Sequence, residues 1–438
     1  MTINVYAVAT PFVIVLALAE FAYCVVKRNG YYSFQDSIAS MGTAVMNQCV
    51  NVAVALLVLP LFTQLGQLAP WRLDVSSPLS LVALFLGVDF LFYWFHRFGH
   101  RTNIGWAAHS PHHSTEELNY AVALRASVTQ RLFSFLFYWP LVMVGFPPEA
   151  VLAMVAFHLV LQFIPHTRVI PKLPRWVESW LNTPSHHRVH HARNDAYIDK
   201  NYAGFLIIWD RMFGTYAEEK EPCSYGLTTP ANTWDPTAIN FQAWARLASD
   251  AVATRSGWDR LRIWVMPTGW RPADLPPRSL GSWKQDGVEV KFRSTELPGI
   301  RAYLVFQLFA SMPFMLLVSH HASPLSGWRK VALSLLLWAM ATAWSGMLES
   351  KRWSVPLELS RVLAMGMAVT LWLVQAGAPQ AWSALSAAWL LVSLTWLLVA
   401  RQAVHSSPAQ PSEEASWCRT GSTSSTYAPS APTRRLRP

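Results

Sequence analysis

Histidine is the residue with the most evident chemical potential in this chain, because most of its 14 copies fall in a few short clusters. Three clusters have the spacing of metal ligands: His96 with His100, His109 with His112 and His113, and His187 with His190 and His191. Spacings of three and four residues place side chains on one face of a helix, so the rings of each cluster can point to one centre. These eight imidazoles are enough to hold two divalent metal ions with coordination positions left open.

The residue types narrow the chemistry of such a centre. Imidazole suits iron, zinc and copper. The four cysteines, Cys24, Cys49, Cys223 and Cys418, show no paired spacing, so neither a cysteine-based structural zinc site nor a disulfide framework is expected. We therefore predict a dimetal centre whose protein ligands are histidine nitrogens.

Other histidines could extend or flank this ligand set. His166 follows an apolar segment, and His186 lies one helical turn before His190. Each could equally well bind the metal or contact a metal ligand without binding the metal itself. His158 lies among apolar residues, which is typical of a core or pocket histidine. The pair His320–His321 is expected in an exposed loop.

Acidic residues near the clusters could accept the outer N–H groups of the rings and orient them. Asp89 precedes His96 by two helical turns inside an apolar segment, where a carboxylate is costly, so we predict a contact with His96 or Arg97. A pairing with a neighbouring helix is the equal alternative. Further candidates are Glu116, Glu117, Asp195 and Asp210. Arg125 and Arg188 are expected to bind lipid phosphates, or else a substrate headgroup or a reductant.

The composition indicates where these clusters work. Hydrophobic residues make up 52% of the chain and charged residues only 14%, whereas soluble globular domains carry about 25% charged residues. The 22 Trp and 22 Phe are typical of membrane interfaces, and global disorder is excluded because so much apolar surface can be buried. The net charge of +10 fits loops beside anionic lipid better than a nucleic-acid surface. The sequence predicts an integral, multi-pass membrane protein with no nucleic-acid partner.

Nine apolar segments are candidates for membrane spans. They cover residues 5–26, 41–65, 79–95, 132–146, 149–164, 300–318, 331–348, 357–374 and 381–400. Basic residues at their ends place the N-terminus outside and the histidine clusters in the cytosol, in a bacterial inner membrane or the endoplasmic reticulum. The expected fold is an all-α membrane bundle of about nine spans with a cytosolic, histidine-rich metal-binding cap. We predict a catalytic domain over 1–298, a four-span block over 299–401 and a disordered tail over 402–438.

The boxes HxxxH, HxxHH and HxxHH at 96–100, 109–113 and 187–191 resemble those of the fatty acid hydroxylase/sterol desaturase superfamily of membrane di-iron oxygenases. The stretches NYAVALR, NTPSHHRVHH and DKNYAGFLIIWDRMFGT, at 119–125, 182–191 and 199–215, resemble its branch that oxidises alkylglycerols. The resemblance implies two iron ions held by the eight clustered histidines. It also implies that extra histidines, here His166 and His186, serve as ligands in some relatives.

The same resemblance implies a reaction. An enzyme of this kind uses dioxygen and two electrons from an external donor to hydroxylate a membrane lipid, a step for which no side chain is a strong enough oxidant. With an alkylglycerol, hydroxylation beside the ether oxygen releases fatty aldehyde, and the implied donor is a tetrahydropterin. The alternative is a sterol or fatty-acid hydroxylase or desaturase of the same superfamily. A histidine-rich metal transporter or metal-binding membrane protein is the alternative from another class. No oligomeric state follows from the sequence.

Overall fold

The computed structural model describes residues 5–278, 281–285, 288–297, 299–319 and 327–406. The helices are α1 Val5–Lys27, α2 Phe34–Gln67, α3 Pro78–Arg101, α4 Asn103–His113, α5 Gln130–Val144, α6 Pro148–Phe163, α7 Arg175–Glu178, α8 Pro184–His191, α9 Ile208–Met212, α10 Pro236–Ala253, α11 Gly257–Arg262, α12 Ile300–Ser319, α13 Gly327–Leu348, α14 Ser354–Gln375 and α15 Gln380–Ser406. Two short strands of the described chain, β1 Lys284–Gln285 and β2 Val288–Glu289, pair as an antiparallel ribbon. The predicted all-α class is confirmed. His320, His321 and residues 407–438 of the predicted tail lie outside the described residues.

Each of the nine predicted apolar segments is a helix, but the helices differ in length and apolarity. Five helices of the described chain are long and apolar enough to cross a bilayer: α1, α3, α13, α14 and α15. Helices α5 and α6 have only 15 and 16 residues, which gives each about 23 Å against a hydrocarbon core of ~30 Å. The chain is therefore a helical membrane protein, and the count of nine spans stays a prediction.

The long helix α2 supports two groups of helices. Its residues Val54 and Phe62 pack with buried side chains of α3, α5 and α6. Ile38 and Val45, nearer its N-terminus, share a second core with α12, α13, α14 and α15. The predicted four-span block thus packs directly on a helix of the predicted catalytic domain. A division of the chain near residue 298 stays a prediction.

A tight junction between α3 and α4 brings two histidine clusters against each other. The Thr102 side chain caps α4 by accepting from the Gly105 backbone N–H at 3.2 Å. A Cβ at position 105 would lie 2.3 Å from the Phe98 carbonyl oxygen, so only glycine allows this close return of the chain. Helix α4 therefore packs beside the last turns of α3, which carry His96 and His100.

The third cluster lies on the short helix α8, whose first turn holds Pro184. The chain then passes back over the histidines as a loop of residues 199–202. Asp199 and Asn201 in this loop have left-handed backbone, with φ of 59° and 55°. The Asn201 amide holds the loop in place by donating to two backbone carbonyls at 3.1 and 2.8 Å. Left-handed backbone is uncommon outside glycine and often marks functional sites.

Candidate metal centre

The three histidine clusters meet in the structure as two adjoining groups of nitrogen atoms. The first group is His96, His100, His109, His113 and His190, and the second is His112, His166, His187 and His191. Within each group, one nitrogen per ring lies within 4.8 Å of all the others. The rings of His113 and His191, one from each group, have centroids 4.4 Å apart. The structure thus brings together all eight clustered histidines and adds His166.

The facing nitrogens have the spacing of metal ligands. His96 Nε2 and His113 Nε2 each lie 3.0 Å from His109 Nε2 in the first group. In the second group, the Nε2 atoms of His166 and His187 are 2.9 Å apart. Ligands at right angles around an ion about 2.1 Å away would be separated by about 3.0 Å. The donor set therefore fits a metal ion in each group.

The outer nitrogens show which ring nitrogen carries the proton. Four Nδ1 atoms donate to backbone carbonyl oxygens at 2.8 to 3.0 Å: His96 to Tyr202, His112 to Arg125, His166 to Gln162 and His190 to Lys200. A neutral imidazole has one N–H, so Nε2 of each of these rings carries a lone pair. Lone pairs that face one another at about 3 Å repel unless a cation lies between them.

Burial keeps these rings neutral. Among the nine grouped rings, four have a buried nitrogen without a hydrogen-bond partner in the described chain: His100 Nε2, His187 Nδ1, His190 Nε2 and His191 Nε2. Burial lowers the pKa of His112 to about 4 and that of His190 to about 3. Burial and the neighbouring imidazoles together hold the pKa of His113 and of His191 well below the usual value. Neutral imidazole is the form that binds metal.

His186 lies outside both groups, although its spacing from His190 matches that of a ligand. Its Nε2 lies 3.0 Å from Glu178 Oε2, and its Nδ1 lies 3.1 Å from the carbonyl oxygen of Leu181. Both ring nitrogens therefore face partners on the segment that precedes α8. His186 therefore connects α8 to the preceding segment and does not join the grouped nitrogens.

Asp89 contacts a neighbouring helix and not the ring of His96. His158 on α6 donates from Nε2 to Asp89 Oδ1 at 2.6 Å. The same carboxylate accepts two backbone N–H groups and an indole N–H from residues 205–209, at 2.8 to 3.1 Å. Gln162 Nε2 donates to His158 Nδ1 at 2.7 Å. The chain of hydrogen bonds from Asp89 through His158 thus ends at Gln162, which lines a cavity. Asp89 therefore joins α3, α6 and the 205–209 segment.

Two other carboxylates act on the first group. Asp210 accepts the backbone N–H of Tyr202 and of Ala203, both at 2.8 Å, and so fixes the carbonyl that receives His96 Nδ1. Asp199 Oδ1 lies 3.8 Å from His100 Nδ1. Burial raises the pKa of Asp210, while its hydrogen bonds oppose that shift.

The remaining charged candidates are engaged elsewhere. Glu116 pairs with Arg193, and Glu117 pairs with both Arg168 and Lys291. Asp195 is exposed. The Arg125 guanidinium is 1% exposed and pairs with Asp36. Arg188 makes two hydrogen bonds of 2.7 Å to the Glu219 carboxylate. Both guanidinium groups are in intramolecular ion pairs, and a contact of either with a lipid phosphate stays a prediction.

A cavity of about 320 Å³ adjoins both groups, which is within the usual range of ligand pockets. Five grouped histidines line it: His96, His109, His112, His166 and His187. The rest of the wall combines apolar side chains such as Phe92 and Val155 with amides and hydroxyls such as Asn47 and Ser134, and with Arg125 and Arg131. The arrangement can hold metal ions at the edge of a space suited to an amphiphile.

Comparison with known proteins identifies the family of this arrangement. A profile described as "Fatty acid hydroxylase" matches residues 81–215, the segment that contains all nine grouped histidines. The chain is 38% identical to the alkylglycerol monooxygenase of Homo sapiens over 312 residues, which is 70% of this chain and 69% of that protein. The chain belongs to the fatty acid hydroxylase family.

Further relatives of this member of the fatty acid hydroxylase family are also alkylglycerol monooxygenases. The protein of Danio rerio is 37% identical over 316 residues, which is 69% of this chain and 68% of the relative. That of Xenopus tropicalis is 46% identical over 205 residues, 46% of this chain and 44% of the relative. No solved structure shows a significant match to the chain. The protein is therefore a lipid monooxygenase of this superfamily, an oxygen-dependent oxidoreductase.

Three residues of this fatty acid hydroxylase family site were not identified from the sequence. Asp199 faces His100, Tyr202 supplies a carbonyl to His96, and the Gln130 side chain is hydrogen-bonded to His109. Asp199 and Tyr202 lie in the polar sequence DKNY, which begins the stretch at 199–215. This polar sequence beside the third histidine cluster is the signal that could have identified them. Gln130 carries no local signal, because its role depends on the packing of α5 against α4.

Proposed function

We propose that the protein is a di-iron monooxygenase that oxidises alkylglycerols at the carbon beside the ether oxygen. The observation that carries the proposal is that nine neutral imidazoles form two ligand groups at one cavity. Iron is among the metals that imidazole suits. The similarity to alkylglycerol monooxygenases supports the choice of substrate.

The chain's own contribution is to hold and orient the ligands in a water-poor site. His96, His100, His109, His113 and His190 would hold one iron, and His112, His166, His187 and His191 would hold the other. Bound iron would supply the activation of dioxygen by external electrons. Backbone carbonyls fix the ring tautomers, and burial of the rings limits side reactions with water.

The proposed reaction balances with dioxygen and a two-electron donor. The substrate carbon beside the ether oxygen exchanges a C–H bond for a C–OH bond. The second oxygen atom of dioxygen leaves as water after uptake of two electrons and two protons. The resulting hemiacetal breaks its C–O bond and yields a fatty aldehyde and glycerol. We propose a tetrahydropterin as the donor.

We further propose that the protein is multi-pass, with about nine spans, and that the histidines face the cytosol. The basic residues at the span ends support this orientation. The grouped histidines lie at the C-terminal end of α3 and in the segments between apolar helices, which supports a site at the membrane face. A transporter would instead place its ligands near the midplane of several spans.

Aerobic incubation of iron-loaded protein with hexadecylglycerol and tetrahydropterin tests the proposal. We expect about two irons per chain and fatty aldehyde that requires both dioxygen and the pterin. The variant His112→Ala with His190→Ala removes one ligand from each group, so it should lose iron and turnover. Full iron content and full turnover in this variant would refute the proposal.

Two further measurements separate the alternatives. Lipid extracts of cells with and without the protein would show loss of ether lipids if the proposal holds. Hydroxylated acyl chains or sterols with intact ether lipids would instead support the sterol or fatty-acid branch. Metal flux into proteoliposomes without oxygen consumption would identify a transporter.

A further inference from the structure

The wall of the cavity beside the metal groups changes from polar to apolar along helix α5. Gln130, which is hydrogen-bonded to His109, begins the α5 wall. Ser134 follows one turn later, and Tyr138 is the last α5 residue that lines the cavity. Eight residues of α-helix rise about 12 Å. The α5 wall therefore runs from an amide beside a proposed ligand to an aromatic ring about 12 Å further along.

Helix α6 has the same gradient. Gln162 lines the cavity near the end of α6 that leads to His166. Leu159 and then Val155 line it at increasing distance from that end, and Val155 lies about 10 Å from Gln162 along the helix. Val155 is 4% exposed and belongs to the apolar core of α2, α3, α5 and α6. The walls formed by α5 and α6 are therefore both apolar at the end of the cavity that is farther from the histidines.

The cavity also borders α1, a helix long and apolar enough to cross the bilayer. Glu20 of α1 accepts from Thr167, the residue that follows a histidine of the second group. Ala9, which lines the cavity, lies eleven residues before Glu20, or about 16 Å along the helix. Its neighbours Val8 and Phe12 are 69% and 53% exposed, as expected for lipid-facing side chains. The apolar end of the cavity therefore lies beside the bilayer.

The polar end of the cavity suits a headgroup that carries hydroxyl groups and no positive charge. Asn47, Ser127 and Gln130 line it together with Arg125, which pairs with Asp36, and Arg131, and none of the described lining residues is acidic. Hydroxyl groups can exchange hydrogen bonds with amides and hydroxyls, whereas a buried cationic headgroup would find no carboxylate to pair with. A volume of about 320 Å³ is at the small end of the ~300–1,000 Å³ of ligand pockets, which favours one hydrocarbon chain over two.

We propose that the cavity binds a single-chain lipid in one orientation, with a hydroxyl-bearing headgroup that has no positive charge, and that Tyr138 and Val155 select its chain length. The headgroup lies at the Gln130 end, and the chain runs past Tyr138 and Val155 toward α1, from which side the lipid enters. In this orientation the carbon that joins headgroup and chain passes the histidines. The inference rests on the proposed function and adds to it the pose of the substrate and the residues that select chain length.

The test compares chain-length profiles. Val155→Phe narrows the apolar end, and Ala153→Phe, at an exposed position of the same helix, is the matched control. We expect Val155→Phe to lower kcat/KM for octadecylglycerol relative to dodecylglycerol by roughly tenfold, the discrimination that small changes of an apolar pocket give. Ala153→Phe should keep the wild-type ratio. Val155→Ala, which is easier to accommodate, should raise the relative rate with the longer chain.

The outcomes separate this inference from the proposed function. A wild-type protein that oxidises no alkylglycerol of any length refutes the proposed function and this inference with it. Active enzyme whose chain-length ratio is the same in wild type, Val155→Phe and Val155→Ala refutes the inference alone. If Val155→Phe does not fold, the ratio in Val155→Ala decides, because an unchanged ratio there contradicts the assigned apolar end.

Discussion

Asp89 and His158 face each other at 2.6 Å between α3 and α6, and each side chain is at most 1% exposed. The aspartate also accepts three N–H groups from residues 205–209, so four donors converge on one buried carboxylate. A Cβ at Gly204 would lie 2.3 Å from His158 Cε1, which shows how closely the chain passes this pair. The contact links α3 and α6 to residues 205–209, which closely follow Tyr202, the residue whose carbonyl oxygen accepts from His96 Nδ1.

Replacement of Asp89 should therefore destabilise the fold. Asp89→Ala leaves four buried donors without an acceptor, and we expect a loss of about 3–5 kcal/mol in the free energy of unfolding. Thermal unfolding in detergent measures it, with Asp74→Ala, at an exposed aspartate, as the control. An Asp89→Ala protein that melts at the wild-type temperature would show that the four contacts contribute little.

The neighbours His186 and His187 should behave differently in metal binding. His187→Ala removes a nitrogen of the second group, so we expect about one iron fewer per chain by elemental analysis. His186→Ala should keep the full iron content and lower the melting temperature, because Glu178 loses its contact. Equal iron loss in both variants would mean that His186 is also a ligand.

Asp199 should tune the first group through His100. Its Oδ2 accepts from Arg101 at 2.9 Å, and its Oδ1 lies 3.8 Å from His100 Nδ1, close enough to form a hydrogen bond after a small shift. Loss of a hydrogen-bonded partner of a ligand weakens metal binding by roughly 10–100-fold. We expect Asp199→Asn to lower iron affinity by that amount in competition with a chelator. Asp195→Asn, an exposed position in the same segment, is the matched control and should bind iron as the wild type does. The prediction fails if the two variants are indistinguishable.

The C-terminal block contains a buried ion pair whose partners should be coupled. Arg361 donates to both oxygens of Glu358 at 2.7 and 2.6 Å, and Tyr303 donates to the same carboxylate at 2.8 Å. Glu358→Leu leaves a buried guanidinium without a counter-charge, which costs about 3–5 kcal/mol. We expect the double variant Glu358→Leu with Arg361→Leu to regain part of that loss in thermal unfolding. A double variant less stable than Glu358→Leu would contradict this.

The helices and the convergence of the clusters follow from local pattern, because apolar runs and three- and four-residue spacings act within one element. The status of His186 does not. His186 and His190 have the same four-residue spacing as His187 and His191, but the partners of the His186 ring, Glu178 and the Leu181 carbonyl, come from the segment that precedes α8. His166 is the opposite case, since tertiary packing alone brings it to the second group.

Asp89 shows the same limit for acidic residues. The sequence predicts a contact of Asp89 with His96 or Arg97 or, equally, with a neighbouring helix. Seven residues of helix separate Asp89 from His96 by about 10 Å, which leaves the neighbouring helix. Its observed partner His158 comes from α6, 69 residues away in the chain. The number of spans is also not determined by local pattern. Hydropathy locates α5 and α6, but helices of 15 and 16 residues can either cross the bilayer or enter it only partly.

Backbone carbonyl oxygens orient four of the grouped rings, those of His96, His112, His166 and His190. This has an evolutionary consequence. A carbonyl is common to every amino acid, so single codon changes at the four accepting positions leave the acceptor in place. The ring tautomers therefore do not depend on the side chains at those positions, although Arg125 and Gln162 have contacts of their own with Asp36 and His158. Insertions or deletions that reroute the 199–202 loop would be the changes purged by selection.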